Sequence, residues 1–320
     1  MNKKILLFTN TKKVWRLHTK GDYWVLNIAT GLLQQLGKTL PESSLMFAKF
    51  SPDGTSVAYV SEENIYVEDL STSKIKALTT DGTTTLINGT FDWAYEEEFA
   101  CRDGFRWSPD SKSIAYWQID ASDIKKFYLI NNTDSIYSQV IPIEYPKVGE
   151  TPSSCKVGVV TVNDAKTTWM NIPGDPRQHY LVRMEFIPST ENLLIQQLNR
   201  KQNESKLFIA EPKTGTSKII EEESDAAWVD IYQPGNKYAI DFTNNFIWLN
   251  GGKSILWTSE KDGWRHLFDV SLEGKKEKLV TNGAYDFIDL KFVDTKNDYV
   301  YFILWHLLIM PLRATCIELS

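Results

Sequence analysis

Hydrophobic and polar positions alternate along this chain in short runs, broken by Pro-Asp, Asn-Gly and Asp-Gly pairs rather than spaced on a helical stripe. Alternation of that kind puts every second side chain on one face, so it predicts strands joined by tight turns. The clearest unit runs Met46-Phe-Ala-Lys-Phe, Ser51-Pro-Asp-Gly, Ser56-Val-Ala-Tyr-Val, Ser61-Glu-Glu-Asn, Ile65-Tyr-Val-Glu-Asp-Leu, Ser71-Thr-Ser-Lys and Ile75-Lys-Ala-Leu-Thr-Thr. That is four strands and three turns. Pro52 presets the backbone of its turn, and Asp53 and Gly54 tolerate the conformations that follow.

The unit recurs. Phe105-Arg-Trp-Ser-Pro-Asp-Ser-Lys-Ser-Ile-Ala-Tyr-Trp copies its first hairpin, and Arg183-Met-Glu-Phe-Ile-Pro-Ser-Thr-Glu-Asn-Leu-Leu-Ile repeats it in degenerate form. Phe246-Ile-Trp-Leu-Asn-Gly-Gly-Lys-Ser-Ile-Leu-Trp-Thr-Ser, with the pair Leu267-Phe-Asp-Val and Lys278-Leu-Val, shares the spacing. Recurring four-strand cassettes are the mark of propeller blades, which bury their faces only against their neighbours; about five to six blades or part-blades are legible. A β-sandwich gives no reason for the same Ser-Pro-Asp turn to return at the same place. The predicted fold is all-β, an incomplete β-propeller of four-stranded antiparallel blades. No Pro/Ser/Gly-rich linker interrupts it, so residues 1–303 read as one domain.

After Asp298-Tyr-Val-Tyr-Phe-Ile the alternation stops, and residues 304–320 read as an aberrant tail. Codons allowed from Trp305 onward, read in a shifted frame, can give Ala-Ser-Pro-Asp-Asn-Ala-Thr and then Tyr-Leu-Tyr-Arg, so a frameshift near Ile303 is the preferred account. The start resembles a signal peptide only in its lysines, because its apolar core is just Ile5 to Phe8; it reads as a strand.

Composition narrows the partners. Hydrophobic residues are 42% and charged residues 24% of the 320, and no apolar run approaches the ~18 residues of a membrane helix, so a soluble folded chain without a membrane segment is expected. The formal charge of −6 has the wrong sign for nucleic acid. Cys101, Cys155 and Cys316 lie far apart, and His18, His179, His266 and His306 show no ligand spacing, which argues against a zinc site and a disulfide framework. Gly251-Gly-Lys-Ser lacks the first glycine and the following helix of a phosphate loop and reads as a hairpin turn. Gly54-Thr-Ser-Val-Ala lies inside a hairpin, not on a strand-to-helix turn, so no nucleophile is nominated.

One segment stands apart, Gly89-Thr-Phe-Asp-Trp-Ala-Tyr-Glu-Glu-Glu-Phe-Ala. Three consecutive carboxylates ordinarily mean a solvated loop. Trp93, Tyr95 and Phe99 are large anchors that should pin this one to the protein, on a short helix or loop between blades, and pinned carboxylates focus a negative field. Such a field suits an ammonium, whose three N–H donors two glutamates can meet from two sides.

Asp92-Trp-Ala-Tyr-Glu-Glu-Glu-Phe followed by Phe105-Arg-Trp-Ser-Pro-Asp-Ser-Lys-Ser-Ile-Ala-Tyr resembles the double-glutamate region of the dipeptidyl peptidase IV family. Thr9-Asn-Thr-Lys-Lys-Val-Trp-Arg-Leu-His-Thr-Lys-Gly-Asp-Tyr-Trp-Val resembles the segment that carries that family's substrate-contacting arginine, and Asp262-Gly-Trp-Arg-His-Leu-Phe a later blade. The resemblance implies an eight-bladed propeller capping an α/β-hydrolase domain, the pair releasing X-Pro or X-Ala dipeptides from peptide N-termini by a Ser-Asp-His mechanism. It implies that Glu97 and Glu98 hold the substrate's amino group and Arg16 the carbonyl of its first residue, with Glu96 not carried over. Read without it, Arg16 beside Trp15 is an ordinary surface strand residue.

By the same resemblance there is no cofactor, and full-length members often form homodimers. Lys- and Asn-rich usage resembles bacterial members, whose full-length proteins would be periplasmic or exported. The hydrolase domain and the first blade have no counterpart here, so the expectation is the substrate-gating propeller of a serine exopeptidase, inactive alone. The alternative is a stand-alone propeller that binds peptide N-termini or a protein partner.

Overall fold

The computed structural model describes residues 3–231, 246–274, 276–306 and 313–318. It divides into two compact units, Met1–Trp169 with Asp175–Gln178, and Met170–Gly174 with His179–Ser320. In the first unit, β1 (Lys4–Val14) and β2 (Leu17–Asn27) form a long hairpin with β3 (Leu33–Gln35) on β2. The next blade is β4 (Leu45–Phe50), β5 (Ser56–Ser61), β6 (Asn64–Asp69) and β7 (Ile75–Ala77), each antiparallel to the last. It is the cassette predicted over Met46 to Thr80, and it joins β2 through Lys20↔Met46 and Gly21↔Leu45.

The following blade is interrupted. It runs β8 (Leu86–Asn88), helix α1 (Trp93–Phe99), β9 (Phe105–Trp107), β10 (Ser113–Asp120), then β11 (Lys126–Asn131) and β12 (Gln139–Glu144), which form a separate two-stranded sheet, then β13 (Ser154–Thr161) and β14 (Thr167–Trp169). β13 covers one edge of β10 along its whole length. On the other edge, β8 pairs through Gln118↔Asn88 and β9 through Tyr116↔Phe105, end to end. The two are one blade strand opened at Trp117, and α1 occupies the opening.

Backbone bonds clamp that opening shut. Gly89 donates its N–H to Trp117 O at 3.0 Å, Trp117 donates to Gly104 O at 3.1 Å, and Gly104 donates to Gly89 O at 3.0 Å. A Cβ on Gly104 would stand 2.6 Å from Gly89 C and Thr90 N, so the two ends of the insertion can meet only there and only as glycine.

The Ser-Pro-Asp turns are built alike. Ser51 Oγ donates to Asp53 Oδ1 and accepts from Ser56 N–H; Ser108 Oγ does the same with Asp110 Oδ1 and Ser113 N–H. These bonds hold the Asp53 and Asp110 carboxyls below their ordinary range. The two turns touch, Asp53 N–H donating to Ser111 Oγ at 3.0 Å.

The second unit holds β15 (His179–Phe186), β16 (Leu193–Asn199), β17 (Glu204–Ala210) and β18 (Ser217–Ser224) as one blade. β19 (Ile247–Leu249), β20 (Ser254–Ser259), β21 (His266–Ser271) and β22 (Glu277–Leu279) form another, with Gly251-Gly-Lys-Ser at its first turn as expected. β23 (Tyr285–Asp294), β24 (Tyr299–His306) and β25 (Arg313–Glu318) form a three-stranded sheet. β25 lies in the stretch read as an aberrant tail and pairs with β24 from Tyr299↔Glu318 to Leu304↔Arg313; 307–312 and 319–320 lie outside the described residues.

The cores lie between successive sheets of a unit. Phe47, Val60, Ile65 and Val67 of one sheet pack against Phe105, Ile114, Tyr116 and Val160 of the next, and Leu194 and Leu207 pack with Ile255, Trp257 and Phe268. Each blade therefore supplies both a face and a cover.

The Gly89–Gly104 clamp carries a prediction. Gly104→Ala should lower stability by ~1–3 kcal/mol, the range for forcing atoms into a packed site, in urea unfolding followed by circular dichroism. The exposed-site control Lys218→Ala should stay within about 0.5 kcal/mol of wild type.

Candidate functional site

Helix α1 is short but capped at both ends. Asp92 Oδ1 accepts the Tyr95 N–H at 3.1 Å. Ala100 takes the left-handed conformation at φ 54°, and its N–H bonds Tyr95 O. On its inner side Tyr95 is 1% and Phe99 3% exposed, Tyr95 stacks on Phe91 at 5.5 Å, and Phe91 meets Trp117 at 5.2 Å. Trp93 is a lesser anchor than expected: it is half-buried and packs on Tyr145 at 4.2 Å.

Successive helical residues point about 100° apart, so three glutamates in a row cannot share one direction. Glu96 turns inward, 7% exposed, and meets Arg102 Nε at 3.0 Å. Glu97 reaches Arg16, which donates Nε–H to Oε1 at 2.6 Å and Nη2–H to Oε2 at 3.0 Å. Glu98 is exposed and has no hydrogen-bond or ion-pair partner among the described residues.

Arg16 is not the ordinary surface strand residue that its local sequence suggests. The closing pair Val14↔Leu17 leaves Trp15 and Arg16 as a two-residue hairpin turn. Trp15 has φ 50°, a region where glycine is usual and a bulky side chain is strained. The β1–β2 hairpin thus spends backbone strain at the position that carries Arg16 toward α1.

The two ion pairs differ in kind. The Arg16 side chain is 62% exposed and Glu97 20%, so their bidentate contact is worth on the order of 0–1 kcal/mol and can rearrange. Arg102 and Glu96 side chains are only 4% and 7% exposed, and losing one partner of such a pair costs about 3–5 kcal/mol. The outer pair is movable and the inner pair is framework. Burial pushes the Glu96 carboxyl up from its usual range, Arg102 pulls it back, Glu97 pushes it up and Arg16 opposes that.

Arg16 and Glu97 are therefore in contact, and Glu98 stands beside them with its charge open. Sequence reasoning missed Arg102 and Asp92. The N-cap could have been found, since Asp before a run that breaks alternation is a helix-start signal. It also missed β11 and β12, where Tyr128, Ile130 and Val140 are 63%, 68% and 62% exposed.

The family model described as "Dipeptidyl peptidase IV (DPP IV) N-terminal region" matches residues 1–304. The dipeptidyl-aminopeptidase B of Aspergillus niger is 28% identical over 319 residues, covering 94% of this chain and 35% of that protein. The crystal structure of Porphyromonas gingivalis dipeptidyl peptidase 4 superposes with a TM-score of 0.84 at 28% identity, over 94% of this chain and 41% of the other. The chain thus spans about a third of the length of the curated relatives it matches. With the sheets described above, these matches give the fold class: an all-β, incomplete β-propeller of four-stranded antiparallel blades.

Asp92 supplies a pH prediction. Burial raises its carboxyl above the ordinary range, against the Tyr95 N–H and the neighbouring Ser153 hydroxyl. A carboxyl raised on folding is protonated more readily in the folded state, so stability falls as pH rises from the ordinary carboxylate range through the folded value. Asp92→Asn keeps an acceptor for the Tyr95 N–H and removes that titration, so its thermal stability should fall less between pH 4 and 7. Asp92→Ala removes the titration too, and should lie ~1 kcal/mol below Asp92→Asn at every pH through loss of the cap.

Proposed function

The chain belongs to the dipeptidyl peptidase IV N-terminal family, and we propose that it is the substrate-gating propeller portion of a dipeptidyl peptidase IV-like serine exopeptidase. In this reading Glu97 and Glu98 hold the free amino group of a peptide and Arg16 binds the carbonyl of its first residue. The observation that carries it is the exposed Arg16–Glu97 pair beside the open Glu98. One guanidinium against two carboxylates leaves a single negative charge, the complement of one ammonium. The weak outer pair can open, so that Glu97 turns a lone pair to the ammonium while Arg16 swings a donor to the carbonyl. An extended dipeptide spans only ~7 Å, so both ends of that contact fit one small site.

Such a site measures distance from a chain end. A peptide whose amine is acylated brings no charge and leaves Glu98 without its partner, which is how a polar site rejects a near-isostere. In the full-length protein this would place the second peptide bond at a serine nucleophile of a separate α/β-hydrolase domain, releasing X-Pro or X-Ala dipeptides. The names of the relatives and the share of their length that this chain covers support that division of labour. We also read residues 1–303 as the propeller part and 304–320 as translated out of frame, supported by a family match that stops at residue 304.

Acyl transfer needs an activated nucleophile, a base and oxyanion donors at the scissile bond, whereas in this reading the two carboxylates and the guanidinium are taken up by the amine and the first carbonyl. The purified chain should therefore bind alanyl-proline amide and should not hydrolyse an X-Pro chromogenic substrate. By calorimetry Glu98→Gln should weaken binding about tenfold or more, the scale of one hydrogen bond to a charged group, and N-acetylation of the ligand should do at least as much. Equal affinity for the acetylated ligand would sink the reading. So would turnover that is abolished by mutating one of the chain's own serines.

A further inference from the structure

Two of the three glutamates of α1, Glu96 and Glu97, feel the same guanidinium. Arg16 is 62% exposed and lies close enough to Glu96 to favour its charge as well as Glu97's. Glu97 receives both Arg16 donors, while Arg102 holds Glu96 inward from the loop after α1. Arg102 is itself fixed. It is 5% exposed, its Nη1 donates to Ala100 O at 3.4 Å, and its own carbonyl accepts the Thr90 hydroxyl at 3.0 Å across the base of the insertion.

We propose that Arg102 is a positioning residue of the site: by sequestering Glu96 it reserves Arg16 for Glu97 and leaves Glu98 as the open carboxylate. Resting on the amino-terminus reading above, this goes further by saying what allocates the charges. The count supports it. Among the described residues Arg16 and Arg102 pair with two of the three α1 carboxylates, Glu97 and Glu96, so with both pairs closed Glu98 keeps the one net negative charge of the set. With Arg102 removed, an ionised Glu96 is left in a buried place without its partner and relieves that by turning toward Arg16. Glu97 then loses a donor pair, and the cluster loses the arrangement that fits one ammonium.

The consequence depends on pH, with a sign that mere loosening of the fold does not produce. Among the described residues the charged groups facing Glu96 are Arg102, Glu97 and Arg16. Without Arg102 the Glu96 carboxyl rises further, because burial is then opposed by less positive charge. Below that value Glu96 is neutral and leaves Arg16 alone; above it Glu96 is charged and competes.

The test uses the whole chain and two readouts. The first needs no ligand: the NMR signal of the Arg16 Nε–H, followed from pH 5 to 7. It should stay constant in wild type, shift across this range in Arg102→Met, and stay constant again in the double variant Glu96→Gln/Arg102→Met. The second is calorimetric affinity for alanyl-proline amide. Wild type should hold steady or tighten as pH rises, Arg102→Met should weaken to about a tenth of wild-type affinity at pH 7, and the double variant should return to within about threefold. An Arg16 signal that ignores pH in Arg102→Met, or a double variant no better than the single one, would overturn the positioning role. If instead the Arg16 signals behave as stated but Glu98→Gln leaves affinity unchanged, the role of Arg102 stands and the amino-terminus reading falls.

Discussion

A single turn of helix aims three consecutive carboxylates in three directions, and the chemistry proposed for this chain depends on which direction each one takes. The helix backbone that sets those directions is held from its other side. Tyr95 and Phe99 are buried, Tyr95 lies on Phe91, and Phe91 lies against Trp117 of the central strand of the blade. Once those rings are seated the backbone of α1 is fixed, with Glu96 on the inner side within reach of Arg102 and Glu98 on the outer side. Seven residues are too few to be helical in water alone, so this burial together with the Asp92 and Ala100 caps is what makes the turn exist.

Trp117 has a second part in this. Its backbone closes the gap between Gly89 and Gly104, and its ring backs the aromatic stack under the helix. The same residue fixes where the insertion leaves the blade and how its cargo is oriented. Positioning of this sort works best from regular elements with their own packing, and the interrupted strand gives a loop-borne site a sheet's rigidity. The two ion pairs then divide the work by burial. The inner one is too costly to break and belongs to the frame, while the outer one is cheap enough for a ligand to reorganise.

The sequence was legible where the determinants are local. Ser51-Pro-Asp and Ser108-Pro-Asp close their turns with bonds between near neighbours, so the turn, the hairpin and the blade repeat all follow from the residues. Gly89 to Ala100 could be set apart because it breaks alternation. The partners in the site were less legible, because Arg16 and Glu97 are 81 residues apart. The family resemblance, not spacing, brought them together. Arg102 follows the glutamates closely, yet nothing in the order of residues says that Glu96 rather than Glu97 turns inward to meet it. The hairpin of β11 and β12 escaped for a different reason: Lys126-Phe-Tyr-Leu-Ile and Val140-Ile-Pro-Ile are apolar on both faces, so a two-residue period has nothing to mark.

The central claim is that the blade holds α1, and with it the carboxylates, before any ligand arrives. Amide hydrogen exchange in the ligand-free chain tests this directly, because the Cys101 N–H is bonded to Tyr95 O at 3.2 Å only when the turn is formed. The prediction is protection of Cys101 close to that of the Trp117 amide, which belongs to the clamp itself. Exchange of Cys101 at the rate of an unstructured amide, while Trp117 stays protected, would mean that the carboxylates are not preorganised and would contradict the account.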